Sequence, residues 1–279
     1  MPSLSDVASY TDRFLRIRDV GDWDNALNGL QIENSGQVTL IGAAVDVSTP
    51  VLTEAGRKNV DFLIVHHGLF WPGLQPVARS LRRQLQLAFE NDMALYGAHL
   101  PLDIHPKVGN NAQLVAALGL KSAQRNCRAS VSDANSIDRR FTETPYKIKS
   151  AQPFLQEKGQ PVGLKICVSM PCNELVRKLR KALNGPVKFF DFGPKQIRTI
   201  GVITGAAGSE IYRVAEENID TFITGEAPHW AAVAAGELGM NLLLGGHYAT
   251  EVFGVKALAA HLSKRFRVPW EFIDCPTGL

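Results

Sequence analysis

Strand-like and helix-like segments alternate along this 279-residue chain, and that alternation limits its fold more than any other feature of the sequence. The apolar run 38–45 predicts a buried strand, and Thr49-Pro50 after it is typical of a helix start with proline in the first turn. A second strand is predicted at 60–65, and an amphipathic helix at 77–91. Such alternation indicates an α/β protein, in which helices connect the strands of a largely parallel sheet.

Three stretches of different character divide the chain. Residues 1–122 and 161–279 both alternate in the α/β manner, whereas 123–160 is polar, serine-rich and without a clear period. We therefore predict two α/β lobes and a polar excursion or linker between them, forming one functional unit. The remaining predicted strands are 93–96, 164–169, 197–204, 221–224 and 241–244, and the remaining predicted helices are 111–118, 173–183, 210–217, 229–238 and 250–266.

Short sequence matches relate the two lobes. Ile41-Gly42 corresponds to Ile200-Gly201, and Asn59-Val60-Asp61 corresponds to Asn218-Ile219-Asp220 at the same offset along the chain. Two generic α/β units can match by chance. Two anchors at one shared offset nevertheless favour an internal duplication over chance.

A histidine pair, His66-His67, follows the second predicted strand at its carboxyl end. In open α/β sheets, ligands bind just beyond the carboxyl ends of strands. Burying two imidazoles costs free energy unless both find partners, so a binding role is favoured over simple core filling. The alternative is a pair of surface or hydrogen-bonded histidines.

Two further histidines follow predicted strands, and each has a carboxylate four residues later. His99 is followed by Asp103, and His247 is followed by Glu251. A helix starting near Tyr248 would place His247 and Glu251 one turn apart on one face, which is a ligand arrangement for a metal site with nitrogen and oxygen donors. The alternative for Asp103 is a helix or turn cap.

These positions together supply three imidazoles and two carboxylates as metal ligands: His66, His67, Asp103, His247 and Glu251. That set suits two divalent ions roughly 3.5–4 Å apart with an activated water between them. Manganese, iron and zinc all accept this mixture of donors. The four cysteines lie outside these motifs, which disfavours a thiolate zinc site.

Catalytic roles are expected for His99 and Glu226, which would carry protons beside the metals. Glu226 occupies the repeat position of His67, and a glutamate favoured at a helix start is an equal alternative. Trp71, within Phe70-Trp71-Pro72, can wall a pocket for a flat base or pack in the core. His105 is expected to be structural.

The chain resembles the Nif-three-like family of dinuclear metal proteins, and most closely its bacterial YbgI-like branch. The motifs that carry this resemblance keep their order along nearly the whole chain. They are Asn28-Gly29-Leu30-Gln31, His66-His67-Gly68-Leu69-Phe70-Trp71, Leu95-Tyr96-Gly97-Ala98-His99-Leu100-Pro101-Leu102-Asp103, Gly109-Asn110-Asn111-Ala112-Gln113, Phe222-Ile223-Thr224-Gly225-Glu226, Gly246-His247-Tyr248-Ala249-Thr250-Glu251 and Phe272-Ile273-Asp274.

The resemblance implies a Nif-three-like α/β fold of two related lobes with two metals in the cleft between them. It maps the ligands onto the same five residues. It also implies a toroidal homohexamer, arranged as a trimer of dimers. Family members are often described as GTP cyclohydrolases of a second type, but membership supports metal binding better than any one substrate.

The leading hypothesis is a dinuclear metal-dependent hydrolase acting on a small molecule such as a nucleotide, with purine ring opening or phosphoester hydrolysis as its reaction. The alternative is a metal-binding regulatory or scaffold protein without turnover. Single-strand nucleic-acid binding through Arg79, Arg82, Arg83 and 264–267 is disfavoured, because a solvated helix face explains these charges better and the net charge of +3 does not demand a polyanion. The absence of a leader or a long apolar run predicts a cytoplasmic protein without membrane contact.

Overall fold

A computed structural model describes residues 1–120 and 151–279. Most of the polar excursion predicted at 123–160 lies outside these ranges, and its last part contains a strand and the start of another. The described chain forms two compact units. The first contains 1–110, 157–160 and 251–278, and the second contains 111–120, 151–156, 161–250 and 279.

Helices and strands alternate through both units, which confirms the predicted α/β class. The α-helices are α1 (Leu4–Leu15), α2 (Thr49–Arg57), α3 (Arg79–Glu90), α4 (Leu100–Asp103), α5 (Asn110–Ala117), α6 (Cys172–Leu183), α7 (Ile211–Glu216), α8 (His229–Glu237) and α9 (His247–Phe266). The strands are β1 (Gly29–Ile32), β2 (Ile41–Asp46), β3 (Phe62–His67), β4 (Ala94–Gly97), β5 (Ala151–Glu157), β6 (Gln160–Pro171), β7 (Lys188–Phe190), β8 (Gln196–Val202), β9 (Thr221–Thr224), β10 (Asn241–Leu244) and β11 (Trp270–Phe272).

Each unit is built on one mixed sheet. In the first unit the strand order is β1-β4-β3-β2-β11, with β1 antiparallel to β4 and the other neighbours parallel. In the second unit the order is β5-β6-β8-β9-β10-β7, with β8, β9 and β10 parallel, β6 antiparallel to β8, and β7 antiparallel to β10. The parallel strands bring their carboxyl ends to one edge of each sheet.

The central strand β3 shows why this sequence forms a buried parallel sheet. Phe62, Leu63, Ile64 and Val65 are fully buried, as expected for a strand covered on both faces. Full burial of such side chains stabilises the fold by roughly 1.5–3 kcal/mol each. This continuous apolar run fixes the strand, so the polar pair that follows it is carried to the edge of the sheet.

Local signals in the sequence set the helix that follows β2. The Ser48 hydroxyl accepts a hydrogen bond from the amide of Val51 and caps α2, and Pro50 stands in its first turn. The cap lies one residue before the predicted start at Thr49. Pro101 likewise stands in the first turn of α4.

The repeated motifs have equivalent roles in the two units. The carboxylate of Asp61 accepts hydrogen bonds from the amides of Thr39 and Leu40 before β2. The carboxylate of Asp220 accepts the corresponding bonds from Arg198 and Thr199 in β8. The preceding asparagines, Asn59 and Asn218, both adopt left-handed backbone conformations, with φ of 58° and 55°. These matching details favour the duplication.

None of the helices in the described ranges has both the length and the apolar character needed to cross a membrane.

Candidate metal centre

Two neighbouring parallel strands of the first unit deliver three imidazoles to one edge of its sheet. Val65 of β3 lies opposite Gly97 of β4, so His66-His67 and His99 follow at the same edge. The His66 ring centroid lies 4.8 Å from that of His67 and 5.0 Å from that of His99. One ligand nitrogen of each of the three histidines lies within 4.8 Å of the others. The ends of β3 and β4 therefore bring the imidazoles of His66, His67 and His99 to one site.

Two carboxylates face these imidazoles. The His66 Nε2 atom lies 3.4 Å from Asp103 Oδ1 and 3.5 Å from Glu251 Oε1. The other oxygen of Glu251, Oε2, lies 3.5 Å from His67 Nε2. Two ligands that are each about 2.1 Å from one ion lie about 3.0–3.4 Å apart, so these separations suit ligands of shared ions. Glu251 thus offers one oxygen beside each of two imidazoles.

His66 carries the clearest sign of a cation site. Its side chain is fully buried, and its Nε2 has no hydrogen-bond partner among the described residues. Leaving a buried polar group without a partner costs about 1–3 kcal/mol. Burial lowers the pKa of His66, but the carboxylates of Asp103 and Glu251 outweigh burial and raise it well above 6.5. The negative charge around this nitrogen therefore favours a cation, whether a proton or a metal.

In His66 and in His67, the Nδ1 atom is held by an oxygen that can only accept. The Nδ1 of His66 bonds the Ala98 carbonyl at 2.8 Å, and the Nδ1 of His67 bonds Asp46 Oδ1 at 2.8 Å. Each Nδ1 must then carry the hydrogen, which leaves the Nε2 lone pair available to a metal. Such outer partners fix the tautomer and orientation of ligand histidines in metalloproteins.

The Asn110 side chain connects the Asp103 carboxylate to helix α9, which carries Glu251. Its Nδ2 donates to Asp103 Oδ1 at 2.8 Å, and its Oδ1 accepts from the Gly254 amide at 2.6 Å. Gly254 lies in α9, three residues after Glu251, so one amide side chain ties Asp103 to the helix that carries Glu251. The sequence gives no local signal for this role.

In the second unit, His247 and Glu226 form a pair of the same kind. The Nδ1 of His247 lies 2.9 Å from Glu226 Oε1, at the start of α9. The backbone agrees with the predicted i, i+4 relation, because α9 begins at His247 and continues through Glu251. Glu226 is therefore an outer partner of a histidine in this structure.

The remaining predicted residues divide between the site and the core. The Trp71 ring lies 4.5 Å from that of His99 and 5.4 Å from that of His67, measured between centroids, so it borders the site. Phe70 packs against the core of the first unit. His105 is buried, with Nε2 bonded to the Phe14 carbonyl at 3.1 Å, and burial lowers its pKa to about 4, in accord with a structural role.

Comparison with known proteins shows the family to which this chain belongs. The sequence profile of the Duf34/NIF3 family, described as NGG1p interacting factor 3, matches residues 2–277. The chain belongs to the Duf34/NIF3 family. A relative in Pyrococcus abyssi named "GTP cyclohydrolase 1 type 2 homolog" is 34% identical, with 98% of both chains covered. One of the same name in Deinococcus radiodurans is 33% identical, covering 92% of this chain and 88% of the relative.

Solved structures place the fold in the same family. TTHA1606 from Thermus thermophilus is 33% identical with a TM-score of 0.81, and the match covers 99% of this chain and 100% of that one. The protein ybgI, whose structure was described with unknown function, is 31% identical with a TM-score of 0.82 and the same coverage. The Nif-three-like, YbgI-like resemblance of the sequence is thereby confirmed.

The sequence of this Duf34/NIF3 member indicated Glu226 as a residue of the site, but it did not reveal two other outer partners of histidines, Asp46 and Asp22. Asp46 ends β2 opposite His67 of β3, so a carboxylate at a neighbouring strand end was an available signal. Asp22 lies 77 residues before His99, which it contacts, and nothing local in the sequence connects the two.

Proposed function

We propose that this protein is a dinuclear divalent-metal-dependent hydrolase. The single observation that carries the proposal is the buried His66 Nε2, which lacks a hydrogen-bond partner among the described residues and faces oxygens of Asp103 and Glu251 at 3.4 and 3.5 Å. The proposed metal ligands are His66, His67, Asp103, His247 and Glu251.

The donor set fits two divalent ions. Imidazole nitrogens and carboxylate oxygens suit manganese, iron and zinc, and the outer partners of the histidines leave Nε2 available in each. When bound, a pair of such ions lowers the pKa of water toward neutrality and thereby supplies a nucleophile. Glu251 would be one of the residues that hold the ions, because its two oxygens face different imidazoles.

The chain's own residues would position the substrate and move protons. We assign proton transfer to His99, which borders His66 and His67, and we assign Glu226 to support of His247 with proton transfer as its second possible role. Trp71 would contact a planar group of the substrate beside His99. A nucleotide substrate is supported by the name that these relatives carry, "GTP cyclohydrolase 1 type 2 homolog", and the reaction would be purine ring opening or phosphoester hydrolysis.

The direct test is turnover of a substrate panel by protein loaded with manganese, iron or zinc. The panel contains GTP, other nucleoside triphosphates and a chromogenic phosphodiester, with products identified by mass spectrometry. We expect metal-dependent turnover that falls at least about 100-fold in Glu251→Gln, which removes a charge from the reacting centre. The exposed Glu90→Gln variant should match the wild type.

Failure of this test has a defined meaning. If the protein binds two ions per chain yet converts nothing in the panel with any of the three metals, the hydrolase proposal is contradicted for nucleotides and phosphoesters. A metal-binding regulatory or scaffold role then becomes the better account.

We also propose a cytoplasmic homohexamer, arranged as a trimer of dimers. Its support in this chain is exposed apolar surface on the second unit. Tyr212 and Trp230 stack with centroids 6.1 Å apart, and both are about half exposed. Val233, one turn further along α8, is 57% exposed. Adjacent exposed apolar side chains of this kind mark association surfaces.

A further inference from the structure

A network of hydrogen bonds surrounds Asp22 and ends on His99, and no part of the metal-ligand set uses it. Asp22 Oδ1 lies 3.0 Å from His99 Nδ1 and accepts from the Trp23 amide at 2.8 Å. Asp22 Oδ2 accepts from Asn28 Nδ2 at 2.7 Å and from the Leu100 amide at 2.9 Å, and it lies 3.2 Å from His99 Nδ1. The other three partners are donors, and an ionised carboxylate can only accept.

Asn28 connects Asp22 to the backbone of the same histidine. Its Oδ1 accepts from the His99 backbone amide at 2.7 Å, while its Nδ2 donates to Asp22. Both the ring and the backbone of His99 are therefore held. The side chains of His99 and Asp22 are only 12% and 6% exposed, and hydrogen bonds shielded from water in this way constrain geometry strongly.

We propose that Asp22 is a positioning residue that fixes the tautomer and orientation of the His99 imidazole. Because Asp22 can only accept, Nδ1 of His99 carries the hydrogen. Nε2 is then the acceptor that His99 presents to its neighbours His66 and His67. The use of that nitrogen for proton transfer rests on the proposed function, whereas the tautomer itself does not.

Exchange of one oxygen for an amide group gives a sharp prediction. In Asp22→Asn, an amide nitrogen at the Oδ2 position would oppose two donors, Asn28 Nδ2 and the Leu100 amide. With the amide nitrogen at the Oδ1 position, only the Trp23 amide would face another donor, as long as His99 Nδ1 accepts a hydrogen bond from that nitrogen. The second arrangement leaves fewer unsatisfied donors, and it places the amide nitrogen at the nearer contact with His99 Nδ1, 3.0 Å against 3.2 Å for the oxygen. Asp22→Asn should therefore convert His99 to the Nε2–H tautomer.

The exchanged pair, Asp22→Asn with Asn28→Asp, should restore the original tautomer. The carboxylate introduced at position 28 would then accept from an amide nitrogen at the Oδ2 position of residue 22. The remaining oxygen of that side chain would face His99 Nδ1 and the Trp23 amide, as in the wild type. Only the Leu100 amide would lose its acceptor. Rescue by a double exchange is an outcome that a merely space-filling role for Asp22 does not produce.

The test is a long-range proton–nitrogen correlation spectrum of histidine-labelled, metal-free protein, in which Nδ1–H and Nε2–H tautomers give different patterns. His99→Gln assigns the signal. Asp46→Asn is the matched control, since it alters the partner of His67 and should leave the His99 pattern unchanged. Metal content and thermal unfolding of each variant are measured on the same samples.

The inference predicts Nδ1–H in the wild type, Nε2–H in Asp22→Asn, and Nδ1–H again in the double exchange. An Nε2–H pattern in the wild type overturns it, and this arm needs no folded variant of Asp22. An unchanged pattern in Asp22→Asn, or no recovery in the double exchange, also overturns it. If the tautomers follow the prediction while the loaded protein converts no substrate, the hydrolase proposal fails and the role of Asp22 stands.

Discussion

Residues that hydrogen-bond to Nδ1 of the proposed ligand histidines should influence metal affinity. Asp46 holds His67 Nδ1 at 2.8 Å, and loss of such an outer partner commonly weakens metal binding by about 10–100-fold. We expect Asp46→Asn to lower affinity within that range, measured by competition with a chromophoric chelator. Asp19→Asn, at an exposed surface pair with Arg16, is the control. Equal affinity in Asp46→Asn and wild type would show that Asp46 does not orient the ligand.

A second residue-scale prediction concerns stability and pH. Burial and the nearby cations Lys107, Arg265 and Lys264 lower the pKa of His261, whose Nε2 lies 2.9 Å from the Tyr10 hydroxyl. The unfolded chain therefore binds more protons than the folded chain around and below pH 6.5, so stability falls as the pH drops through that range.

The corresponding variant is His261→Gln, compared with wild type by chemical denaturation in chelator at pH 7.5 and at pH 5.5. We expect the wild type to lose more unfolding free energy between the two pH values than the variant does. An equal loss in both proteins would exclude His261 as a contributor to the acid sensitivity.

At the residue scale, the site residues at the ends of strands were predictable from the sequence. The contacts that depend on tertiary packing were not. His66 and His67 follow an unmistakable apolar run, so their place at the sheet edge was predictable. The contacts of Asp22 with His99 and of Asn110 with Gly254 join residues far apart in the chain. No local pattern predicts such contacts, because they depend on how elements pack.

At the scale of elements, strong periodic or apolar segments were predicted best. The strands 221–224 and 241–244 have the predicted bounds, and α6 ends before Asn184, whose left-handed backbone matches the predicted stop. The short elements β1, β7 and β11 were missed. Their three or four residues form strands because a neighbouring strand pairs with them, which a single segment does not encode.

Two helical glycines provide a matched test of how α9 supports the site. A Cβ at Gly254 would meet Asn110 Oδ1 at 2.6 Å, whereas a Cβ at Gly236 in α8 would meet only ordinary contacts with Phe192 at 3.7 Å or more. We expect Gly254→Ala to destabilise the fold by about 1–3 kcal/mol through overpacking. It should also weaken metal binding, because Asn110 donates to Asp103.

Gly236→Ala is the control for helix propensity. It should be neutral or stabilise the protein by up to about 1 kcal/mol, with unchanged metal affinity. Denaturation and chelator competition measure both quantities. If the two alanine variants behave alike, the close approach of α9 to Asn110 does not support the site.

At the scale of the whole molecule, the exposed apolar side chains of α7 and α8 bear on assembly. Trp230→Asp places a charge beside Tyr212, so it should dissociate the proposed hexamer if this surface is buried between copies. Phe89→Asp, at an exposed apolar position of α3, is the control. Mass photometry measures the assemblies. A hexamer that survives Trp230→Asp at nanomolar concentration would exclude this surface as an essential interface.

The lobe boundaries predicted at 1–122 and 161–279 stay a prediction. The repeated Asp61 and Asp220 contacts favour two units of common plan, since each carboxylate anchors the chain before or within an equivalent strand. The family resemblance, in contrast, was predictable from the sequence, because its motifs place histidines and carboxylates at the ends of apolar strands. The family match over residues 2–277 confirms it.

The most direct measurement is the metal content per chain by plasma mass spectrometry, on protein purified without chelator or metal-affinity resin. We expect about two divalent ions per chain, as in other two-metal sites, with a sharp fall in His247→Ala and in Glu251→Gln. His229→Gln, at an exposed histidine, should retain both ions. Wild-type protein that is free of metal and cannot be loaded would contradict the dinuclear centre and the hydrolase built on it.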